Sequence, residues 1–367
     1  MNPLRIFALC GLVAFSAFAI EASELTGLEK GDKGSEFAVA SVSVADGAAK
    51  NKTDYVPKIH GVIRTRWEGE FAHDGEDFHQ RFQVRNARLL VEGNVLSNVG
   101  YYVRIDACDR GKMKILDAWV RWTIDRHWRV QAGQFRIPFG TDCFRGPGSY
   151  YFANRSFVGK YLLNIRQVGA KVGYYGSKIP LTVEAGMFNA TPMTDHEPWQ
   201  DAMDYAVKAS YKLDNVIFAS SFASVKPYGV RMNVVSGSAT WQWDRMIVEG
   251  EYVNKHYTNH AHDAVDGWNV FCSYALPLRK SVFNQLSFQA RYDGMLAHST
   301  GKPDSDGLLP TDDPRRHRIT VGSQLAYVKK PLKALIRLNY EHYFYGSGTP
   351  APQGESNKVV AELVVTF

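Results

Sequence analysis

The chain closes on "VVAELVVTF", residues 359–367. Val359, Ala361, Leu363, Val365 and Phe367 recur at every second position, with Val360, Glu362, Val364 and Thr366 between them. A period of two marks a β-strand whose two faces meet different surroundings. Soluble domains usually fray at their ends and carry polar tails. Here the most apolar face runs to the final residue and ends on an aromatic ring, so something is expected to hold that face.

The same rhythm runs back through the chain. "IHGVIRTRWEGEF" (59–71) sets Ile59, Ile63, Trp67 and Phe71 against His60, Arg64, Arg66, Glu68 and Glu70. "NVGYYVRIDA" (98–107) sets Val99, Tyr101, Val103 and Ile105 against Tyr102, Arg104 and Asp106. "LDAWVRWTID" (116–125) sets Leu116, Ala118, Val120, Trp122 and Ile124 against Asp117, Trp119, Arg121 and Thr123. The periodicity predicts sixteen strands: 58–72, 80–95, 98–109, 113–125, 127–138, 165–175, 179–189, 201–213, 215–226, 230–243, 245–257, 265–277, 283–297, 315–329, 332–345 and 357–367. Segments near 80, 215 and 230 alternate poorly, which predicts β-bulges there.

One face of these strands is apolar and aromatic and the other is charged. The charged face is too charged for a sandwich core, and the strands exceed the usual five or six residues. Membrane-crossing strands need about 9–11 residues, apolar outward and polar inward. Composition agrees: 45% hydrophobic residues and 13% aromatics coexist with a mean hydropathy of −0.27. The net charge of +6 is too mild to indicate a nucleic-acid partner.

The N-terminus, "MNPLRIFALCGLVAFSAFAIEAS", has one Arg, an apolar run from Ile6 to Ile20, and small residues at Ala17 and Ala19. It reads as a secretory signal peptide over 1–19, with cleavage as far as about 22, and is too short to span a bilayer. Residues 20–56, rich in Gly, Ala, Ser and charge, read as a flexible periplasmic linker. Residues 57–367 are then an all-β transmembrane antiparallel β-barrel of about sixteen strands, in the outer membrane of a Gram-negative bacterium. The last strand closes on the first with its apolar face in lipid. Phe367 is expected to be the mark read by the barrel assembly machinery.

Four pieces, "RNARLLVEG" (85–93), "YYVRIDA" (101–107), "LDAWVRW" (116–122) and "VQAGQFRIPFG" (130–140), carry a more specific likeness. In content, order and spacing they resemble the phosphate-selective porin O and P family, over about sixty residues. The resemblance implies a sixteen-stranded outer-membrane channel, usually a homotrimer, that passes anions and phosphate in particular by diffusion, without a cofactor.

An anion path needs cations facing a narrow lumen that attract the ion without holding it. Arginine suits phosphate because its planar fork donates two hydrogen bonds, whereas lysine acts as a point charge. The inward parity of the first five strands gives Arg64, Arg66, Arg88, Arg104, Arg121 and Arg129, with Lys171, Lys208, Lys212, Arg291, Lys333 and Arg337 further on. Glu68, Glu70, Asp106, Asp117, Glu184 and Glu249 share that side, so the arginines are either an anion ladder or members of ion pairs. Residues 140–164, long and rich in Gly and aromatics, are expected to fold inward as a constriction loop carrying Arg145, Arg155 and Lys160. The alternatives are a general porin of little selectivity, and a structural or adhesive barrel with a blocked lumen.

Other features point elsewhere weakly. His256, His260 and His262 read as a solvated loop rather than a metal site, and "DSDG" and "TDDP" lack EF-hand spacing. No catalytic motif occurs in its required context, so an enzyme is not expected. Cys10 leaves with the signal peptide. Cys108 and Cys143 could pair, and Cys272 reads as a small buried hydrophobe.

Overall fold

A computed structural model describes residues 55–367 apart from 72–76, 163, 280, 330, 347 and 348. The expected signal peptide with Cys10, and the linker up to residue 54, lie outside the described residues. Sixteen strands follow in order: β1 (Lys58–Phe71), β2 (Phe78–Leu96), β3 (Val99–Asp109), β4 (Lys112–Thr123), β5 (Trp128–Arg136), β6 (Arg166–Tyr175), β7 (Leu181–Asn189), β8 (Met203–Leu213), β9 (Val216–Val225), β10 (Met232–Trp243), β11 (Met246–Tyr257), β12 (Val265–Pro277), β13 (Gln285–Met295), β14 (Arg316–Lys329), β15 (Leu332–Tyr345) and β16 (Lys358–Thr366). Every end falls within two residues of the boundary expected from periodicity.

Each strand pairs with its sequence neighbours, and β16 pairs antiparallel with β1, so the sheet closes into a barrel with no free edge. At the seam Phe367 pairs with Gly61. Gly61 N donates to the Phe367 carbonyl at 2.7 Å, and Phe367 N donates to the Gly61 carbonyl at 3.0 Å. The Phe367 ring lies over Gly61, where a Cβ would stand 2.2 Å from it. The apolar terminal face is held by the first strand of its own barrel.

Parity sorts the side chains as expected. In β14, Arg316, Arg318 and Thr320 are buried while Ile319 and Val321 are exposed; in β15, Arg337, Asn339 and Glu341 are buried while Ile336 and Leu338 are exposed. Apolar residues exposed on a barrel exterior suit lipid, and charged residues inside suit a lumen. The connections differ by end. Those at 97–98, 214–215 and 244–245 are two residues long, while those at 137–165, 190–202 and 296–315 on the opposite rim are far longer.

The bulge expected near residue 80 exists: the β1–β2 register slips between Arg64 and Thr65, leaving Arg85 unpaired opposite them. The bulges expected near 215 and 230 do not. Strands β8, β9 and β10 pair without a slip. Their alternation fades for another reason: inward positions such as Ala206, Ser221, Ala223, Val234 and Ser236 are small or apolar because the long segment 137–165 lies against them.

The cysteines do not pair. Cys108, Cys143 and Cys272 are all free, and Cys143 Sγ hydrogen-bonds the Phe139 carbonyl at 2.7 Å. Cys272 corrects the expectation of a buried thiol. It sits on the apolar face, but that face is the exterior of the barrel, so the thiol is exposed.

Candidate functional site

The segment joining β5 to β6 leaves the ladder at Ile137 and folds into three short turns, Asp142–Phe144, Pro147–Ser149 and Val158–Leu162. Its apolar base, Ile137, Phe139, Val158 and Leu162, joins a buried cluster with Phe188, Ala206, Ala223, Val225, Val234, Val253 and Val265 from β7 to β12. Glu251 on β11 accepts the backbone N–H groups of Thr141 (2.6 Å) and Asp142 (2.8 Å), and Ser221 accepts that of Gly140 at 2.9 Å. Residues reached this way point inward, so the segment lies within the barrel rather than over its rim.

The far wall grips the same segment through arginine. Arg318 donates to the Arg155 carbonyl at 2.7 Å, Arg337 to the Tyr150 carbonyl at 2.6 Å, Arg291 to the Asn154 carbonyl at 2.9 Å, and Arg64 to the Ala153 carbonyl. Asp293 accepts the Phe157 N–H at 2.9 Å and Asn339 accepts the Ala153 N–H at 2.7 Å. These arginines are also ion-paired: Arg318 with Asp293 and Glu341, Arg337 with Glu362 (2.9 Å), Arg64 with Glu362 (2.6 Å), and Arg291 with Asp293 (3.2 Å). A loop backbone so deep in the barrel needs such donors, since unpaired buried carbonyls are costly.

Between this segment and the β1–β4 wall lies a cavity of about 380 Å³. Thirteen Lys or Arg side chains line it, against three carboxylates, Glu68, Asp109 and Glu355. Those carboxylates are shared. Asp109 serves Arg85 (2.6 Å), Lys114 (3.1 Å) and Arg110 (3.8 Å), and Glu68 serves Arg66 (3.0 Å) and Arg81 (2.6 Å). Arg155 and Arg136 in the same lining have no carboxylate partner among the described residues; they donate to carbonyls of Cys143 and, for Arg155, to the Tyr150 hydroxyl at 2.6 Å.

The loop's own groups register this surplus. Burial alone raises the Tyr150 phenol, but Arg155, Arg88, Arg64 and Arg136 outweigh it and bring it down to about 8. Burial likewise opposes ionisation of Asp142, yet Arg145, Arg155 and the Ser156 hydroxyl hold it at about 2. Burial lowers Lys160 in spite of its bond to Glu355 at 2.8 Å.

Of the arginines expected along the path, Arg64, Arg66 and Arg88 line the cavity, Arg88 bonded to Asp106 at 2.8 Å. Arg104 pairs with Asp117 at 3.3 Å and stacks on Tyr102. Arg121 and Arg129 lie apart, beside the β4–β5 turn. Among the described residues they pair with no carboxylate; Arg121 stacks on Trp119 (5.3 Å to the ring centroid) and Arg129 on Tyr175 (4.2 Å). Of the loop residues, Arg155 and Lys160 face the cavity, while Arg145 is buried against Glu249 and Asp142 and serves as an anchor. Lys171 pairs with Glu184 at 2.5 Å, and Lys208 and Lys333 donate to the loop carbonyls of Gly140 and Gly148. Lys212 shares the inward parity of Lys208 on β8.

Arg81, Arg85, Arg110, Lys114, Arg136, Arg166, Arg318 and Lys358 were not singled out from the sequence, yet they line the cavity. Arg85 owes its place to the bulge, which breaks the parity rule at that residue. Lys114 follows a similar register slip between β3 and β4.

Residues 68–214, from β1 to the β8–β9 turn, match the family model described as phosphate-selective porin O and P. Over those residues, about two-fifths of the chain, it is similar to that family. No curated protein sequence matches it. Solved structures share the fold at low identity. The anion-selective porin from Comamonas acidovorans superposes with a TM-score of 0.58 at 11% identity, covering 85% of this chain and 99% of that one. The outer membrane channel DcaP of Acinetobacter baumannii gives 0.57 at 12%, covering 87% and 99%. In-vitro folded OmpT of Vibrio cholerae, in its trimer form, gives 0.57 at 12%, covering 85% and 99%. This porin is an outer-membrane barrel, and by the rule for such barrels its short turns face the periplasm and its long loops the exterior.

Proposed function

We propose that this porin is a passive channel that favours small anions, phosphate foremost. The observation that carries the reading is the cavity beside the inward segment, where thirteen cationic side chains meet three carboxylates and only five of the thirteen, Arg64, Arg88, Arg166, Arg318 and Lys358, pair with carboxylates behind the lining. Sharing one carboxylate among three cations, as at Asp109, leaves positive charge that a passing anion can satisfy. No single site encloses the ion, so binding stays weak enough for release. Arg121 and Arg129 continue the path toward the periplasm, each presented by an aromatic face rather than held by a carboxylate. Arginine's fork suits phosphate oxygens better than it suits chloride.

The family match and the trimer form of OmpT support a homotrimer. Phe367, just past the end of β16, is read as the mark for the assembly machinery. The balanced pairs on the β13–β16 side favour a second reading, a barrel plugged by its own loop. Single-channel current in a planar bilayer separates them. Chloride current that falls as phosphate is titrated in supports the phosphate path. Current indifferent to phosphate leaves a general porin, and a folded barrel without current leaves a plugged one.

A further inference from the structure

Strand β14 begins Arg316–His317–Arg318. Arg316 and Arg318 are buried in the lumen, paired with Asp313 and Asp293. By parity His317 between them points out of the barrel, at the rim of the long loops. It does not project alone. Gly294 on β13 stands opposite it, and without a Cβ there the Trp268 ring and the His317 ring close over the glycine; a Cβ would stand 2.6 Å and 2.8 Å from them. His317 lies 5.2 Å from Trp268 and stacks on Tyr292 at 6.1 Å with an interplanar angle of 3°. The Tyr292 hydroxyl and His317 Nδ1 share a 3.1 Å hydrogen bond. Arg315, exposed and without a carboxylate partner among the described residues, reaches His317 Nε2 at 3.5 Å. On the next strand His342 also points outward, edge-on to Phe344 at 4.5 Å. An outward carboxylate on β12, Asp266, is already taken by Tyr252 and, at 2.8 Å, by Asn254.

Aromatic rings are usual where a barrel meets the membrane interface. A guanidinium and an imidazole fixed among them are not needed for that. The guanidinium supplies charge and donors at the height where outer-leaflet headgroups lie, and the imidazole, bonded to both Arg315 and the Tyr292 hydroxyl, holds them side by side. Arginine with a neighbouring donor is the arrangement that grips phosphate. We infer that the Arg315–His317–Trp268–Tyr292 cluster binds the phosphate of a phosphorylated glycolipid of the outer leaflet, with Phe344 and His342 against its sugar and acyl base. The inference rests on the membrane orientation of the barrel and is independent of what passes through the lumen.

The test uses the full-length protein in detergent, offered a diphosphorylated glycolipid or the same lipid with its phosphates removed, with retained lipid read by native mass spectrometry. Wild-type protein should retain the phosphorylated lipid. R315A/H317A should retain it about tenfold less or worse, and the dephosphorylated lipid should bind wild type no better than that. Excess inorganic phosphate should compete only weakly, because the acyl chains add to the lipid's hold. Equal retention by wild type and R315A/H317A overturns the proposal. So does retention indifferent to phosphate, or a double variant that changes oligomeric state without losing lipid, which would make this face a contact between copies. Unchanged single-channel current in R315A/H317A shows that the barrel is folded and keeps the lipid result separate from the anion reading.

Discussion

The two sides of the lumen carry the same residue type to different ends. On β1 and β13–β16, Arg64, Arg291, Arg318 and Arg337 each meet a buried carboxylate, and each also donates to a carbonyl of the inward segment. On the β2–β6 side, cations outnumber carboxylates, and Arg121, Arg129, Arg136 and Arg155 rest on rings, hydroxyls or carbonyls instead. Counting arginines does not separate the walls; counting their partners does. The paired wall positions the loop, and the surplus wall is left to attract the anion.

The largest expected effect comes from breaking the paired wall. Arg318→Leu leaves Asp293 and Glu341 short of their main partner, and losing one member of such a buried pair costs about 3–5 kcal/mol. The thermal unfolding midpoint, or the fraction of barrel resisting heat in detergent, should drop clearly. An unchanged midpoint would show that this wall does not hold the loop.

A carboxylate removed from each side sharpens the contrast. Asp109→Asn frees Arg85, Arg110 and Lys114, and should raise the anion-to-cation permeability ratio several-fold, since one charge near a hydrated path is worth about 1 kcal/mol. Glu341→Gln should leave that ratio unchanged and lower stability instead, because its charge is spent on Arg318. Equal changes in permeability would erase the distinction between the walls.

Salt gives a broader but milder effect. Screening shortens from about 10 Å at 0.1 M to about 3 Å at 1 M. The anion preference of the surplus wall should therefore weaken as salt rises, whereas the close pairs of the other wall should keep their hold on the loop. Permeability ratios and unfolding midpoints measured over the same salt series check both halves.

The smallest expected effect is a pH response at Tyr150. Its phenol, lowered to about 8, ionises as pH rises through that value and adds one negative charge among Arg155, Arg88 and Arg64. Anion preference should fall between about pH 7 and pH 9, and Tyr150→Phe should reduce the change. Because the folded barrel favours the ionised phenol, the same titration adds stability above about pH 8 rather than removing it.

The fold was readable because lipid and lumen impose opposite demands on alternate residues, and most strands obey them over their whole length. The rhythm failed where a third surrounding intervened. Inward Ala206, Ser221, Ala223 and Val234 face the loop, not water, so polarity no longer marks the face. The inward arginines of β1 to β5 were readable as a set, and so was the loop that meets them. Their pairing was not. Arg64 finds Glu362 at the other end of the chain, across the barrel seam, and no local pattern couples those positions. Arg85 was hidden for the opposite reason: a one-residue bulge turned it inward against its parity.

The most direct test of the central claim is the reversal potential across a bilayer separating unequal KCl concentrations, for wild type and for R121A/R129A. The account predicts an anion-selective potential for wild type that moves toward zero in the double variant, with the barrel still folded. A wild-type potential that is cation-selective, or one the double variant leaves unchanged, would contradict the assignment of selectivity to the surplus wall.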